Sequence, residues 1–425
     1  MEEFIRFFIE VGKLKSTKRP GWVLRGIKNP ETVADHAFRV LILAWVFGKE
    51  TNLNHRRLLK LALVHSLSAV YINYISPYDK LLETKSKKEL LKKYPALVLR
   101  APIGDKWKIA RQRFEEEQRA IRKLTQDLPE PVRHEIDYLW LDFQQRTSKE
   151  AKFLKALDRL ENLIQALEYK DQIKDDLLAP FLSQIGQITD NKRILGFAQA
   201  LCQYFTKGEK SVKSRKDRNL IKFILEVGKL KTVWRKGWLI RGVKNPESIA
   251  SHSFRTAFMS WMLLGRRRVN FEAIIVMSMV HDLSTAVIGD FTPYDKVLEA
   301  SRDKKRLFET LPWLGSRRGK SVLTMERLQI EAKGLDKTIS FLPQQLRQKL
   351  KYLWLEYKTG TSREARLTRQ IDRVEDLIQA MEYYEGDKSI PVKAFWLELK
   401  ELVDDSLLAE FVDQLDYYFL QQSGK

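Results

Sequence analysis

The stretch FIRFFIEVGKLKSTKRPGWVLRGIKNPETVADHAFR, from Phe4 to Arg39, decides the fold because the chain contains it twice. The second copy, LIKFILEVGKLKTVWRKGWLIRGVKNPESIASHSFR, runs from Leu220 to Arg255, so matched residue numbers differ by 216. The match continues through SPYDK and TPYDK, and through ALDRLENLIQALEY and QIDRVEDLIQAMEY. Self-similarity of this length indicates a duplicated domain. We therefore divide the chain into a first domain, 1–206, a basic linker, 207–218, and a second domain, 219–425.

Both copies have the pattern of an all-α fold. Phe4, Phe7 and Val11 recur at the three-to-four-residue spacing of one helix face. The Asn-Pro-Glu triplets disfavour helix before them, so the hydroxyls of Thr32 and Ser248 are predicted helix caps. LLKLALVH and AIIVMSMVH are apolar almost all round, which predicts a buried central helix. An alternating strand pattern is missing from the sequence, so we expect two tandem helical bundles.

The composition is that of a globular protein. The 425 residues are 44% hydrophobic and 31% charged, and the sequence has no apolar run of the length of about 18 residues that a membrane span requires. Cys202 is the only cysteine, which excludes an intrachain disulfide and a thiolate zinc cluster. The N-terminus lacks a small-residue cleavage site for secretion. We expect an intracellular protein, cytoplasmic in the first instance, with an organelle as the alternative.

The charge balance favours an anionic partner. The formal net charge is +21, with a pI near 9.7, and such an excess is typical of proteins that meet nucleic acids, nucleotides or phosphate esters. Basic residues interleaved with aromatic ones follow each YDK motif, as phosphate contacts and base stacking require. The predicted polyanion-binding group is Arg317, Arg318 and Lys320. The alternative is a solvated cationic loop.

Histidines and aspartates recur at matched positions. His36 corresponds to His252 and His65 to His281, which Asp282 follows directly. Imidazole nitrogens and carboxylate oxygens without sulfur are suitable ligands for Mn, Fe, Co or Zn. The alternative is that each histidine is an ordinary hydrogen-bonded residue of the core, but retention through the duplication favours a metal site.

The ordered set H…HD…D, preceded by GW-x-x-R-x-[VI]-x-x-P-E-[ST]-[VI]-[AS]-x-H, resembles the HD-domain phosphohydrolases, most of all the 5′-nucleotidases and deoxynucleotidases. Its most specific parts here are GWLIRGVKNPESIASHSFR, MVHDLSTAVIGDFTPYDK and QIDRVEDLIQAMEY. The resemblance implies an all-helical fold, one divalent metal ion, and hydrolysis of nucleoside 5′-monophosphates to nucleoside and phosphate. Members assemble as dimers, so the two halves are expected to pack as an intrachain pseudo-dimer.

The resemblance also assigns roles in the second half. Asp290 matches a family aspartate near the metal and the sugar, and Arg235 matches a basic residue that meets the substrate phosphate. Thr285 stands where the family has a glutamate that handles protons, which lowers the expected turnover. The implied metal ligands are His252, His281, Asp282 and Asp372.

The first half departs further from the family pattern. It keeps His36, His65 and Asp158, but Ser66 replaces the HD aspartate. Ala69 and Tyr74 replace the glutamate and the outer aspartate. We expect a degenerate domain without metal, although two histidines and one carboxylate can hold an ion in some enzymes. The predicted function is a phosphohydrolase that is active in its second half only. The alternative is a catalytically impaired HD-fold scaffold or an RNA- or ribonucleoprotein-binding protein.

Overall fold

The structure is a computed structural model, and it describes residues 1–72, 103–172, 179–290 and 317–423. Helices joined by turns make up these residues. The extended pairings within the described ranges are two isolated bridges, Lys18 with Thr32 and Trp234 with Ser248. The prediction of an all-α fold is confirmed.

The helices of the two copies follow one another in the same order. Those of the first half are α1 (Glu2–Gly12), α2 (Pro20–Leu24), α3 (Val33–Gly48), α4 (His55–Val64), α5 (Ile103–Thr125), α6 (Glu130–Gln145), α7 (Lys149–Glu168), α8 (Ala179–Ile188) and α9 (Lys192–Lys207). Those of the second half are α10 (Arg215–Lys229), α11 (Lys236–Ile240), α12 (Ile249–Leu264), α13 (Phe271–Val280), α14 (Thr285–Ile288), α15 (Arg317–Ile339), α16 (Gln344–Thr359), α17 (Arg363–Gly386), α18 (Lys393–Leu402) and α19 (Ser406–Ser423).

The predicted caps fix where α3 and α12 begin. The Thr32 hydroxyl accepts the backbone N–H of Asp35 at 3.1 Å, and the Asp35 carboxylate accepts that of Thr32 at 2.9 Å. In the second copy the Ser248 hydroxyl accepts the N–H of Ser251 at 3.0 Å. These bonds satisfy donors that a helix start leaves open, and both caps are confirmed. They place a histidine in the first turn of each helix.

Two compact units make up the chain, and they differ from the two sequence copies. The N-unit is Ser16–Ile221, and the C-unit consists of Met1–Lys15 together with Lys222–Lys425. Met1–Lys15, the N-terminal arm, therefore packs with the second copy. The predicted linker, 207–218, contains the end of α9, a 3₁₀ turn and the first residues of α10. The predicted domain boundaries follow the sequence repeat. The compact units differ from them because Met1–Lys15 belongs to the C-unit, and because the N-unit extends through the linker to Ile221.

The N-terminal arm covers part of the C-unit core. Phe7 lies against Phe258, with ring centroids 5.7 Å apart. The arm approaches α12 and α17 closely at Gly12, where an added Cβ would lie 2.4 Å from Arg255 Nη1 and 2.6 Å from Glu382 Oε1. Any larger side chain at this position would require the ends of the Arg255 and Glu382 side chains to move.

A buried helix carries the HD motif of the C-unit. All residues of α13 are buried except Glu272. The 18-residue stretch Phe271–Ile288, which continues into α14, has a mean hydropathy of 1.5 and is 78% buried. By length and composition this stretch could cross a membrane, but a core helix passes the same test. Its place in the core confirms the central helix that the sequence predicts.

Candidate metal centre

Two imidazoles and two carboxylates converge inside the C-unit. The Nε2 atoms of His252 and His281 are 3.2 Å apart. Asp372 Oδ1 lies 2.8 Å from the Nε2 of His252 and 3.4 Å from that of His281. Asp282 Oδ2 lies 3.4 Å from His281 Nε2. The structure therefore brings together all four ligands that the family resemblance implies, from α12, the end of α13 and α17.

The far side of each ring has an acceptor of its own. His281 Nδ1 lies 2.9 Å from the Ser278 carbonyl, and His252 Nδ1 lies 2.5 Å from Glu375 Oε2. The Ser278 carbonyl holds the proton of a neutral His281 at Nδ1 and leaves its Nε2 free as a metal ligand. At His252 the Arg235 Nη1 also lies 2.8 Å from Nδ1, so this nitrogen contacts both Glu375 and Arg235. Both Nε2 atoms face the aspartates, so the rings are oriented for an ion in the cluster.

The buried carboxylates of the cluster are stabilised by positive charge on their neighbours. Burial and the Arg235 guanidinium oppose protonation of His252, but Glu375 and Asp372 outweigh them and raise the pKa of His252 to about 10. Burial alone would raise the pKa of Asp282, yet His281 and Lys358 hold it well below its usual range. A proton or a bound cation can supply the required charge. Two imidazole nitrogens and two carboxylate oxygens fit a divalent Mn, Fe, Co or Zn ion.

Polar side chains from α15, α16 and α14 surround the cluster. The Tyr357 hydroxyl donates to Asp372 Oδ2 at 2.7 Å. Lys358 Nζ lies 2.8 Å from Glu331 Oε2 and 3.9 Å from Asp282 Oδ1. The hydroxyl of Thr285, which replaces the family glutamate, donates to the backbone carbonyl of Asp282 at 2.8 Å.

The N-terminal arm contributes Lys15 to the surroundings of His252. The Lys15 ammonium, only 5% exposed, pairs with Glu247 and Glu375 and donates to Gln379 Oε1 at 2.8 Å. Arg255 Nε donates to the other side of this network, at 2.8 Å from Glu375 Oε1. Lys15 thus helps to hold the carboxylate that orients a metal ligand, although it comes from the first sequence copy.

Sequence reasoning missed these neighbours of the cluster. The available signal was Glu375, an acidic residue three positions after Asp372 on the same face of a buried helix. Buried carboxylates need partners, so this spacing could have suggested a second acidic group at the site. The missed residues are Lys15, Glu331, Tyr357, Lys358 and Glu375.

Arg235 and Asp290 lie at the edge of the cluster. Arg235 pairs with Asp376 and lies 3.5 Å from Glu247 Oε1. Asp290 accepts the backbone N–H of Lys236 at 2.7 Å, and burial together with the Asp282 carboxylate raises its pKa. Their roles toward phosphate and sugar stay predictions.

The N-unit retains three of the four ligands in a similar arrangement. His36 Nε2 lies 3.1 Å from Asp158 Oδ1 and 3.4 Å from His65 Nε2. His36 Nδ1 pairs with Glu161, as its counterpart does with Glu375. Ser66 occupies the place of the fourth ligand. This group is also close enough to hold an ion, so the prediction of a first half without metal stays open to test.

A lysine contacts the remaining carboxylate of the N-unit cluster. Lys155 Nζ lies 3.5 Å from Asp158 Oδ2 and 4.3 Å from the ring centroid of Phe143. Phe143 stands where the C-unit has Tyr357, so the lysine replaces the tyrosine hydroxyl as the partner of this oxygen. Burial lowers the pKa of the Lys155 ammonium to about 8.

Several predicted residues fall where the structure gives no account. Tyr74 lies outside the described residues. The predicted polyanion-binding group begins α15, but its side chains lie outside the described part of the chain; these are Arg317, Arg318 and Lys320.

Helical bundles that join a histidine, a His-Asp pair and a distant aspartate define a class of metal-binding domains. The HD-domain family model matches residues 11–100, 101–199 and 227–406. The chain belongs to the HD-domain family, with the domain repeated.

The curated relatives that the chain resembles carry the name 5′-deoxynucleotidase. The mouse and human proteins named 5′-deoxynucleotidase HDDC2 are each 36% identical over 167 residues, which is 39% of this chain and 70% and 68% of theirs. The Schizosaccharomyces pombe 5′-deoxynucleotidase hdd1 is 29% identical over 178 residues, 41% of this chain and 79% of its own. A solved structure of a conserved hypothetical protein from Pyrococcus furiosus is 26% identical, covers 46% of this chain and 99% of its own, and has a TM-score of 0.34.

Proposed function

We propose that the chain is a metal-dependent phosphohydrolase that converts nucleoside 5′-monophosphates to nucleoside and phosphate. The observation that carries this proposal is the buried cluster in the C-unit, where two imidazole Nε2 atoms face two aspartates within 3.4 Å. The similarity to proteins named 5′-deoxynucleotidase supports the substrate class.

The chain's own residues supply charge and proton handling around the cluster. A divalent cation held by the four ligands would contribute Lewis acidity toward the phosphoryl group. Lys358, 15% exposed, sets a positive charge beside Asp282, where it can offset that of a phosphate. Asp290, whose pKa is raised, can hold a proton at the edge of the site and release it to the leaving sugar oxygen. Arg235 adds a second cation, oriented by Asp376.

We further propose that hydrolysis occurs in the C-unit alone. Ser66 replaces Asp282, and a serine hydroxyl cannot supply the anionic oxygen that a divalent ion favours. Gln144 replaces Lys358, which removes the cation next to this position. Two substitutions at the place where metal and phosphate would meet favour loss of the reaction in the N-unit.

The experiment is phosphate release from a panel of deoxynucleoside and ribonucleoside 5′-monophosphates, with Mn²⁺ or Co²⁺ and the full chain. We expect His281→Ala to abolish release, because it removes a ligand. The matched variant, His65→Ala in the N-unit, should retain it. If the wild type does not exceed the His281→Ala background with any substrate, the enzymatic proposal fails and the scaffold alternative becomes the better one.

A further inference from the structure

We propose that the N-unit carries a second ligand site, which binds a nucleotide-sized phosphomonoester without a metal ion and without hydrolysing it. The site is a cavity of about 250 Å³. Among the described residues that line it, Asp158 is the one carboxylate, and the cations are Arg19, Arg25, Arg113, Lys155 and Arg159. The inference does not rest on the function proposed for the C-unit.

The charge of this cavity favours an anion as it stands. Its one carboxylate, Asp158, already has the ammonium of Lys155 at 3.5 Å. Asn162 replaces the C-unit's Asp376, in addition to the loss of the HD aspartate at Ser66. Arg19 and Arg113 also pair with glutamates, Glu31 and Glu117, at 2.8 and 2.7 Å. Arg25 and Arg159 are therefore the cations of this cavity that have no carboxylate partner in the described part of the chain.

Two guanidinium groups of the cavity have donors without acceptors. Arg25 Nε and Arg159 Nε are buried and have no hydrogen-bond partner within the described ranges. Burial lowers the pKa of the Arg25 guanidinium, which donates through Nη1 to the Gly21 carbonyl at 2.8 Å. Buried polar groups normally have partners, and phosphate oxygens are strong acceptors for arginine. Arg25 and Arg159 both line the cavity, and an anion there would be the first charged partner of these two guanidinium groups among the described residues.

The aromatic residues of the cavity suit the organic part of such a ligand. Trp22 and Phe181 are stacked, with centroids 5.5 Å apart and planes at 21°. The Arg25 guanidinium lies 5.3 Å from the Phe181 centroid. Together with Phe143, these rings give the cavity apolar surface beside its cations. Apolar surface with a few converging polar groups is typical of small-molecule sites, so we expect a ring-bearing phosphomonoester to bind more tightly than inorganic phosphate.

The same cavity lacks what turnover needs. Ser66 replaces the HD aspartate, which the C-unit retains, and Gln144 replaces the cation at Lys358. A ligand would therefore stay intact, and the N-unit would respond to nucleotide concentration through binding alone.

The test is calorimetric titration of the full chain in EDTA with deoxyadenosine 5′-monophosphate, deoxyadenosine and inorganic phosphate as probes. We expect saturable monophosphate binding that weakens by at least about tenfold in Arg159→Gln and in Lys155→Met, because each removes a charged contact. Lys155→Arg keeps the charge and should retain binding. The matched variant Arg373→Gln changes the repeat-equivalent arginine of the C-unit and should leave this binding in place. Circular dichroism checks that each variant is folded.

Three results would overturn the proposal. The first is the absence of saturable monophosphate binding in EDTA. The second is binding that Arg373→Gln abolishes and Arg159→Gln does not, which would place the ligand in the C-unit. The third is equal affinity for inorganic phosphate and the monophosphate, which would refute the nucleotide-sized ligand. Because the assay contains no metal and measures no turnover, its failure is distinguishable from failure of the phosphohydrolase proposal.

Discussion

The clusters of the N-unit and the C-unit share the contacts behind their histidines, which we call outer contacts. They differ in the residues next to the aspartate that both copies retain, which we call inner residues. In each copy a buried glutamate, Glu161 or Glu375, accepts from the Nδ1 side of a histidine. The same glutamate accepts from a fully buried arginine, Arg39 in one copy and Arg255 in the other. The inner differences are Ser66 for Asp282, Phe143 for Tyr357, Gln144 for Lys358 and Asn162 for Asp376.

This comparison indicates that the outer contacts serve stability and that the inner residues serve ligand binding. Removing one member of a buried ionic network leaves an uncompensated charge, at a cost of about 3–5 kcal/mol. Both copies therefore retain the outer contacts, regardless of the ligand that each unit binds. The inner residues face the cavity, where a neutral replacement leaves no buried charge without a partner. They are the positions at which the copies could diverge in function.

The largest expected effect follows from the pair Asp282 and Ser66. Asp282→Asn should lower metal affinity by more than about 100-fold, because loss of a ligand exceeds the 10–100-fold cost of losing an outer partner. Ser66→Ala, the matched change in the N-unit, should leave the metal content of the protein unchanged. Elemental analysis of the purified chains measures both. Two ions in the wild type, or an undiminished content in Asp282→Asn, would refute a site confined to the C-unit.

The next effect concerns the missing glutamate. Thr285→Glu should raise phosphate release by about 100-fold, because general acid–base assistance is typically worth 10²–10⁴-fold. Thr285→Gln has a similar size but cannot transfer a proton, so it should give no increase. Steady-state rates with one monophosphate at saturating metal compare the three proteins. Equal rates for the Glu and Gln variants would show that the site manages its proton by other residues.

The contribution of the N-terminal arm should be smaller. Lys15→Met is expected to lower metal affinity by less than about tenfold, because the 10–100-fold scale applies to direct partners of a ligand and Lys15 contacts the partner, Glu375. Lys13→Met is the control, because Lys13 is exposed and pairs with Glu10. Competition with a chelator gives the two affinities. Equal values would mean that Lys15 serves packing alone.

The smallest expected effect is on the pH dependence of the free energy of unfolding, to which Asp142 of the N-unit contributes. Asp142 is buried, which raises its pKa, but hydrogen bonds from Ser148, Thr147 and Arg57 outweigh this and lower the pKa to about 2, against an ordinary value of 3.8. A pKa lowered in the folded state stabilises the fold above 3.8, and this stabilisation is lost as the pH falls through 2. Asp142→Asn should therefore lower the free energy of unfolding at neutral pH by on the order of 2 kcal/mol.

Thermal unfolding between about pH 2 and pH 7 measures this loss. The variant should be less stable at neutral pH and should approach the wild type at the acid end. Glu356→Gln is the matched control, because Glu356 accepts from an exposed Tyr352 hydroxyl and, among the described residues, has none of the buried partners of Asp142. A wild type and an Asp142→Asn variant with parallel pH curves would contradict the assignment.

The sequence was sufficient for the helices, their caps and the grouping of four side chains in one cluster, namely His252, His281, Asp282 and Asp372. These depend on local spacing: His281 and Asp282 are adjacent, and His252 lies in the first turn after its cap at Ser248. Local spacing decides which face of a helix a side chain occupies, so the cluster could be predicted once the order of motifs resembled a known family.

The position of the N-terminal arm could not be predicted in this way. The apolar face of α1 shows that it must pack on a core, but a duplicated chain offers two similar surfaces for it. The surface on which the arm packs depends on the distances between segments of the folded chain. The hydrophobic periodicity of α1 contains no information about these distances. Lys15 was missed for the same reason, since its partner Glu375 belongs to the other copy.

The contact between the N-terminal arm and α17 also affects when the C-unit can fold during translation. Lys15 and Glu375 are separated by 360 positions, and translation proceeds at about 5–20 residues per second. After α1 has been synthesised, it therefore waits on the order of tens of seconds for the surface that buries Phe7 and Phe8. During that interval its aromatic face is available to chaperones, and the C-unit cannot reach its final packing until Glu375 and the rest of α17 have been made.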